Sequence, residues 1–354
     1  MENRAASAGE SSALSGALAL AQAGQHACQL LHIHELLLQD AARNRAFHAA
    51  LEAVIVPGCA VLDIGSGSGI WAVTAAKLGA GKVVAIEREP MLIGLIEALA
   101  RDNGVADRVR VVQGDSRTVA LEREFDIVVS ETIGHLVFDE EIVPIMLDAR
   151  ARFLKPGGAL IPERVALMVA GARLDRPPMP AAMQGNFSCF ESLMLNTPLA
   201  FTDKSPVKIL TPPAELIALD LARIAAEPDV SRLSARWPAQ DVKGVNCFLV
   251  WAEAVLAPGV KLSTMDTPSW SATVYRIAPF SVKSGTLEFQ LALSHSTNEW
   301  TASLAGDESR EARMYSPVIA AAELLAPGAP DSGVFEKMKR HNLALHHAAP
   351  QPHE

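Results

Sequence analysis

Between Val61 and Trp71 the chain reads Val-Leu-Asp-Ile-Gly-Ser-Gly-Ser-Gly-Ile-Trp, an apolar strand running into three alternating glycines and then a helix. Gly65, Gly67 and Gly69 carry no Cβ atom to hold a ligand off the backbone, and a helix N-terminus offers unpaired N–H groups. The segment therefore reads as a turn that binds a nucleotide-sized ligand. Asp63 precedes the first glycine and Glu87 ends the next apolar strand, Val83-Val-Ala-Ile-Glu87, so two carboxylates flank the turn. One suits an amine and the other a ribose. A nicotinamide-dinucleotide turn of G-x-G-x-x-G spacing would need glycine at Ile70.

Downstream the pattern alternates. A helix from about Met91 to Asn103, a strand Val109 to Val112, a strand Phe125 to Glu131 and a helix from Ile142 to Phe153 precede Leu154-Lys-Pro-Gly-Gly-Ala-Leu-Ile-Pro-Glu163. This order specifies a Rossmann-like α/β fold, a parallel sheet with helices on both faces. After Glu163 the pattern changes. Segments such as Thr286-Leu-Glu-Phe-Gln-Leu-Ala-Leu-Ser294 alternate apolar and polar residues between Pro- and Gly-rich turns, as in a twisted antiparallel sheet or barrel.

The 354 residues carry a formal charge of −9 and no apolar run long enough to cross a membrane. The acidic balance disfavours nonspecific nucleic-acid binding and suits a cationic substrate. Cys28, Cys59, Cys189 and Cys247 are scattered, with no C-x-x-C pair for zinc or a disulfide framework, so a reducing cytoplasm is the expected compartment. Residues 1–25 lack a basic leader followed by a cleavable apolar core and read as a mobile tail. The end of the chain, from about Pro327, holds Lys337, Lys339, Arg340 and several histidines without zinc spacing, and reads as a mobile basic tail with no metal site.

The glycine turn with Glu87 resembles the first motif of class I S-adenosylmethionine (SAM) methyltransferases, with Glu87 as the ribose-binding acid. A second stretch narrows the resemblance. Ser130-Glu131 leads through Thr-Ile-Gly134-His-Leu-Val-Phe-Asp to Glu140, which is similar to the double-glutamate loop of the protein arginine methyltransferases (PRMTs), with Glu131 and Glu140 at its acidic positions. Ahead of the sheet, apolar residues at helical spacing from Gln29 to Val54 resemble the family's lid helix; His34 and Arg43 match a histidine and an arginine that fold over SAM, the arginine pairing with the methionine carboxylate. Asp115 or Ser116, after the third strand, would meet the adenine, although the family's following glutamate is here Arg117.

The chemistry accounts for two carboxylates. A guanidinium is planar, delocalised and protonated in water, so its nitrogens are poor nucleophiles. Two carboxylates gripping it hold one nitrogen in line with the methyl–sulfur bond and draw positive charge toward the others. Positioning of this kind supplies roughly 7–11 kcal/mol of a displacement barrier without a nucleophilic residue in the enzyme. Glu131, Glu140 or the neighbouring His135 is a candidate to accept the proton.

The resemblance covers about His26 to Tyr315 and implies a homodimer. Its expected divisions are a tail over 1–25, lid and SAM domain over 26–163, a barrel for substrate and dimerisation over 164–326, and a tail over 327–354. A dimerisation arm belongs between Pro177 and Pro213, where Asn186 to Leu195 offers apolar side chains. Two departures stand out. The family's Thr-His-Trp barrel loop is here Pro268-Ser269-Trp270, with Trp270 left to wall the pocket. Paired aromatics over the bound arginine are missing from Gly24 to Cys28, where His26 is the nearest substitute. The expected reaction is transfer of a methyl group from SAM, giving S-adenosylhomocysteine, to a guanidino nitrogen. The acceptor is free arginine or a small arginine-containing precursor, with arginine in a protein, another small amine, or no catalysis at all as alternatives.

Overall fold

A computed structural model describes residues 24–175, 198–276, 286–293, 300–305 and 312–315. Of the region between Pro177 and Pro213 expected to hold an arm, the part up to residue 197, including Asn186 to Leu195, lies outside these residues, as do residues 1–23 and 327–354 of the expected tails. Helix α1 spans residues 24–39 and α2 spans Ala41–Val54. The single helix expected from Gln29 to Val54 is thus broken at Asp40. The cause is local: Asp40 leaves helical geometry with ψ 89° and its carboxylate accepts the Arg43 N–H at 3.0 Å, an N-cap that starts a second helix.

The parallel sheet follows the alternation closely. β1 (Ala60–Ile64), β2 (Lys82–Glu87), β3 (Val109–Gln113), β4 (Phe125–Ser130) and β5 (Leu154–Ile161) lie in the order β3-β2-β1-β4-β5. The central strands are apolar and buried on both faces, as a sheet covered by helices requires. The covering helices are α3 (Ile70–Lys77), α4 (Pro90–Asp102) and α5 (Ile142–Arg152). The order reverses at β1, whose neighbours are β2 and β4, so the switch point at its carboxyl end opens the crevice in which ligands of such sheets bind.

The second half is antiparallel. β6 (Arg164–Leu174) pairs β11 (Cys247–Ala257) over nine residues, and the two centre a sheet ordered β7-β13-β11-β6-β8, with β7 at Pro198–Phe201, β8 at Val207–Ile209 and β13 at Ala272–Arg276. β9 (Ala214–Asp220) and β12 (Val260–Ser263) add to β6 and β11. A second sheet runs β10 (Leu233–Pro238), β14 (Thr286–Leu293), β15 (Trp300–Ala305) and β16 (Ala312–Tyr315). Alternate side chains of β10 and β11 turn inward, where Phe248 stacks on Phe289 at 5.0 Å and Trp237 and Tyr275 close around them. The two sheets share this aromatic core as the walls of a barrel. α2 packs onto β11 and β12, so the loop after β12 comes to lie over the mouth of the parallel sheet.

Candidate active site

At the carboxyl ends of β1, β2 and β4 lies a cavity of about 650 Å³, a size typical of small-molecule sites (about 300–1,000 Å³). His34, Arg43, Gly65, Gly67, Glu87, Asp115, Ser116, Glu131, His135, Glu140 and Trp270 all line it. Asp63 does not. It is fully buried beneath the turn, where one oxygen accepts the Ala72 N–H at 3.0 Å and the other has no hydrogen-bond partner among the described residues, and burial pushes its carboxyl up to about 7. From there it supports the start of α3.

The glycine turn is a cradle that side chains would fill. Gly65 and Gly67 take φ of 66° and 56°, and a Cβ on Gly67 would stand 2.5 Å from His34 Cε1. His34 therefore lies directly over the turn; burial lowers its pKa and keeps the imidazole neutral. Glu87 accepts the Gly67 N–H at 2.8 Å and the Glu89 N–H at 2.9 Å, which fixes an acceptor-only carboxylate at the cavity edge, suited to a pair of ribose hydroxyls. At the β3 end, Arg117 bridges Asp115 (2.9 and 3.1 Å) and Glu141 (2.9 and 3.2 Å). The arginine that stands in place of the family's glutamate thus ties the strand end to the loop carrying Glu140. These groups fit SAM: a backbone cradle without Cβ atoms, an acceptor for the ribose and a slot at the β3 end for the base.

Glu131 is engaged through both of its oxygens. One oxygen accepts the Arg43 Nε–H at 3.0 Å and a second bond from Arg43 Nη2; the other accepts the Trp270 indole N–H at 2.9 Å. Arg43 itself is 3% exposed, with its Cζ 5.1 Å from the centre of the Trp71 ring and its Nη1 donating to Leu37 O and Asn44 Oδ1. Four of its five N–H groups are thereby directed at protein acceptors, leaving one on Nη2 for a ligand.

The loop from β4 to α5 is strained. Val137 and Glu141 have φ of 69° and 61°, uncommon for any side chain and an outlier for a β-branched one, at a cost on the order of 1–3 kcal/mol each. Asp139 holds the loop by accepting the His135 and Leu136 N–H groups, and a Cβ on Gly134 would collide with it at 2.3 Å. The strain leaves Glu140 facing the cavity without a hydrogen-bond partner among the described residues. Glu140 is open to the cavity yet walled by protein; loss of water, then the charges of Glu131 and Asp139, push its carboxyl up to about 7.

Two contributors carried no motif. Asp40 accepts Ser269 N–H at 3.0 Å and Ser269 Oγ–H at 2.5 Å, and Lys204 donates to the Thr267 and Trp270 carbonyls. Together they pin the barrel loop so that Trp270 reaches Glu131. The sole sequence signal was Asp40, an N-cap residue type inside an otherwise helical run.

Residues 61–158 match a family model described as a methyltransferase domain. The chain is 32% identical over 244 residues to the arginine N(omega)-methyltransferase of Streptomyces achromogenes subsp. streptozoticus, covering 65% of this chain and 66% of that protein. It is 39% identical over 148 residues to protein arginine N-methyltransferase PRMT10 of Oryza sativa subsp. japonica, covering 41% of this chain and 38% of that one. The chain is a PRMT-like methyltransferase. The solved Arabidopsis thaliana protein arginine methyltransferase 10 superimposes on this PRMT-like chain with a TM-score of 0.66 at 18% identity, over 82% of this chain and 99% of that one. Trypanosoma brucei PRMT1, in its enzyme-prozyme complex, gives 0.65 at 22%, over 80% and 98%. The likeness spans the parallel sheet and the barrel of the PRMT-like fold together.

Proposed function

We propose that this chain transfers a methyl group from SAM to a guanidino nitrogen of arginine, with free arginine or a small arginine-containing precursor as the acceptor. The observation that carries the reading is that Glu131 and Glu140 face the same cavity as the glycine turn and Glu87. SAM supplies an electrophilic methyl group on a sulfonium. Glu131, held by Arg43 and Trp270, and Glu140, held by strained backbone, accept N–H groups of the substrate guanidinium and fix one nitrogen for attack. When that nitrogen gains the methyl group it releases one proton, and the Glu140 carboxylate, which is unpartnered and holds a proton readily near neutrality, receives it. Incubation with labelled SAM and separate pools of arginine, arginine-rich peptides and unrelated amines tests the reading. Transfer to guanidines supports it, and efficient transfer to other amines with none to any guanidine refutes it.

A pH dependence follows. The carboxylate form of Glu140 does the holding, while the substrate guanidinium stays charged across the accessible range. The value of kcat/KM should therefore fall as pH drops through about 7 and level off above it. A profile flat from about pH 6 to 8.5 would remove Glu140 from this role.

The chain is also proposed to act as a homodimer. Leu31 and Leu36 on α1 and Met91 and Leu95 on α4 are 36–50% exposed and do not line the cavity, an apolar surface that a second copy would cover. Light scattering should give twice the 37.7 kDa chain mass, and the double variant Leu31→Glu, Leu36→Glu should shift it toward one chain. A monodisperse monomer for the parent would end this part of the proposal.

A further inference from the structure

Six cationic or potentially cationic side chains line the cavity. Five are occupied or silenced: Arg43 on Glu131, Arg117 on Asp115 and Glu141, His26 on Glu89 at 3.3 Å, His135 beside Asp139 at 3.4 Å, and His34 held neutral by burial over Gly67. The sixth is Arg88. It follows Glu87 on the turn between β2 and α4, is exposed to the cavity, and pairs with no described carboxylate.

We infer that Arg88 receives the α-carboxylate of the substrate, so that the site selects arginine as a free amino acid over arginine within a peptide chain. The inference rests on the guanidino reading above. A guanidino amino acid has two charged ends, and the cavity supplies matching ends of opposite sign: the acidic pair Glu131 and Glu140 on the β4 side, and an unneutralised guanidinium at the end of β2. Arg88 lines the same cavity as Glu140, and its charge pulls the Glu140 carboxyl down against the upward push of its surroundings, as it also does those of Asp115 and Glu89. A planar guanidinium takes a carboxylate bidentately, which makes arginine the suited residue for this task. An arginine inside a peptide has no α-carboxylate to offer, and leaves this cation unpaired when it occupies the cavity.

The experiment compares arginine, agmatine (the same side chain without the carboxylate) and a peptide with an internal arginine, each at saturating SAM, in the parent enzyme and in Arg88→Gln and Arg88→Lys. For the parent, kcat/KM should be at least about tenfold higher for arginine than for agmatine or the peptide. In Arg88→Gln that ratio should collapse toward one, mainly through the KM for arginine, and Arg88→Lys should restore part of it. A misfolded or merely weakened enzyme would lose rate on all three acceptors and keep the ratio. A parent that methylates agmatine or the internal-arginine peptide as well as arginine overturns the inference while leaving guanidine methylation intact. A ratio unchanged in Arg88→Gln, with SAM affinity lowered in calorimetry, overturns it differently, by assigning Arg88 to the cofactor. No transfer to any guanidine removes the underlying reading instead. A short peptide with a free C-terminal arginine separates the two sources of the carboxylate: rates like those of arginine assign the anchor to chain ends, and much slower rates assign it to the amino acid.

Discussion

Replacing Glu131 or Glu140 by glutamine is expected to lower methyl transfer by at least about a hundredfold while the fold and cofactor affinity persist. The amide keeps the shape of the side chain but exchanges one acceptor for a donor pair, and the guanidinium needs acceptors alone. A hydrogen bond to a charged group contributes roughly 1.5–3 kcal/mol, and each 1.36 kcal/mol is tenfold in rate, so the lost bond by itself accounts for about ten- to a hundredfold. At Glu131 the effect is compounded. Its oxygens already accept from Arg43 and Trp270, so an amide nitrogen must face one of those donors, and the side chain rotates or the pair separates. Arg43 is then left buried with one carboxylate fewer, so Glu131→Gln should be the more damaging of the two. Methyl transfer followed by mass spectrometry, with circular dichroism and calorimetry on the same samples, measures all three quantities. Turnover by either variant near the parent rate would mean that the acidic pair does not hold the substrate.

Gly67→Val is expected to abolish SAM binding in a protein that still folds. The residue sits at φ 56°, a region costly for a β-branched side chain, and its Cβ would come within 2.5 Å of His34 Cε1 and 3.2 Å of His34 Nδ1. Relief requires the His34 imidazole to swing off the turn, which uncovers the cradle the valine now fills, or the turn to open, which breaks the 2.8 Å bond from Gly67 N–H to Glu87 and releases the ribose acid. Titration calorimetry should show no heat with SAM or S-adenosylhomocysteine. Gly94→Ala, on an exposed face of α4 where a Cβ meets nothing within 4 Å, is the matched control and should bind normally. Near-normal SAM affinity in folded Gly67→Val would place the cofactor elsewhere.

Much of the architecture was legible because it rests on short-range chemistry. The glycines at 65, 67 and 69, the apolar strands ending at Glu87 and Ser130, and the switch after Glu163 from α/β alternation to two-residue periodicity each act within a few residues of themselves, and the sheets follow them. Glu131 and Glu140 were singled out by their resemblance to the double-glutamate loop, and both line the cavity.

What remained hidden depends on residues far apart in sequence. Asp40 and Ser269 are 229 positions apart and Trp270 and Glu131 are 139 apart, so nothing in the chain order indicates that a helix break and a barrel loop meet on one carboxylate. The partition of charge was equally invisible. Sequence set Arg43 and Asp63 near a ligand and showed Arg117 only as a departure from the family's glutamate; packing commits Arg43 to Glu131, closes Arg117 between two acids, buries Asp63 under the turn and leaves Arg88 without a described partner. The sequence by itself determined the two architectures, because periodicity, glycine and chain direction are local constraints. Only the tertiary structure decided which charges neutralise each other, because Coulomb and hydrogen-bond energies depend on separation in space and on exclusion of water, and both exist only once the barrel has closed against the sheet.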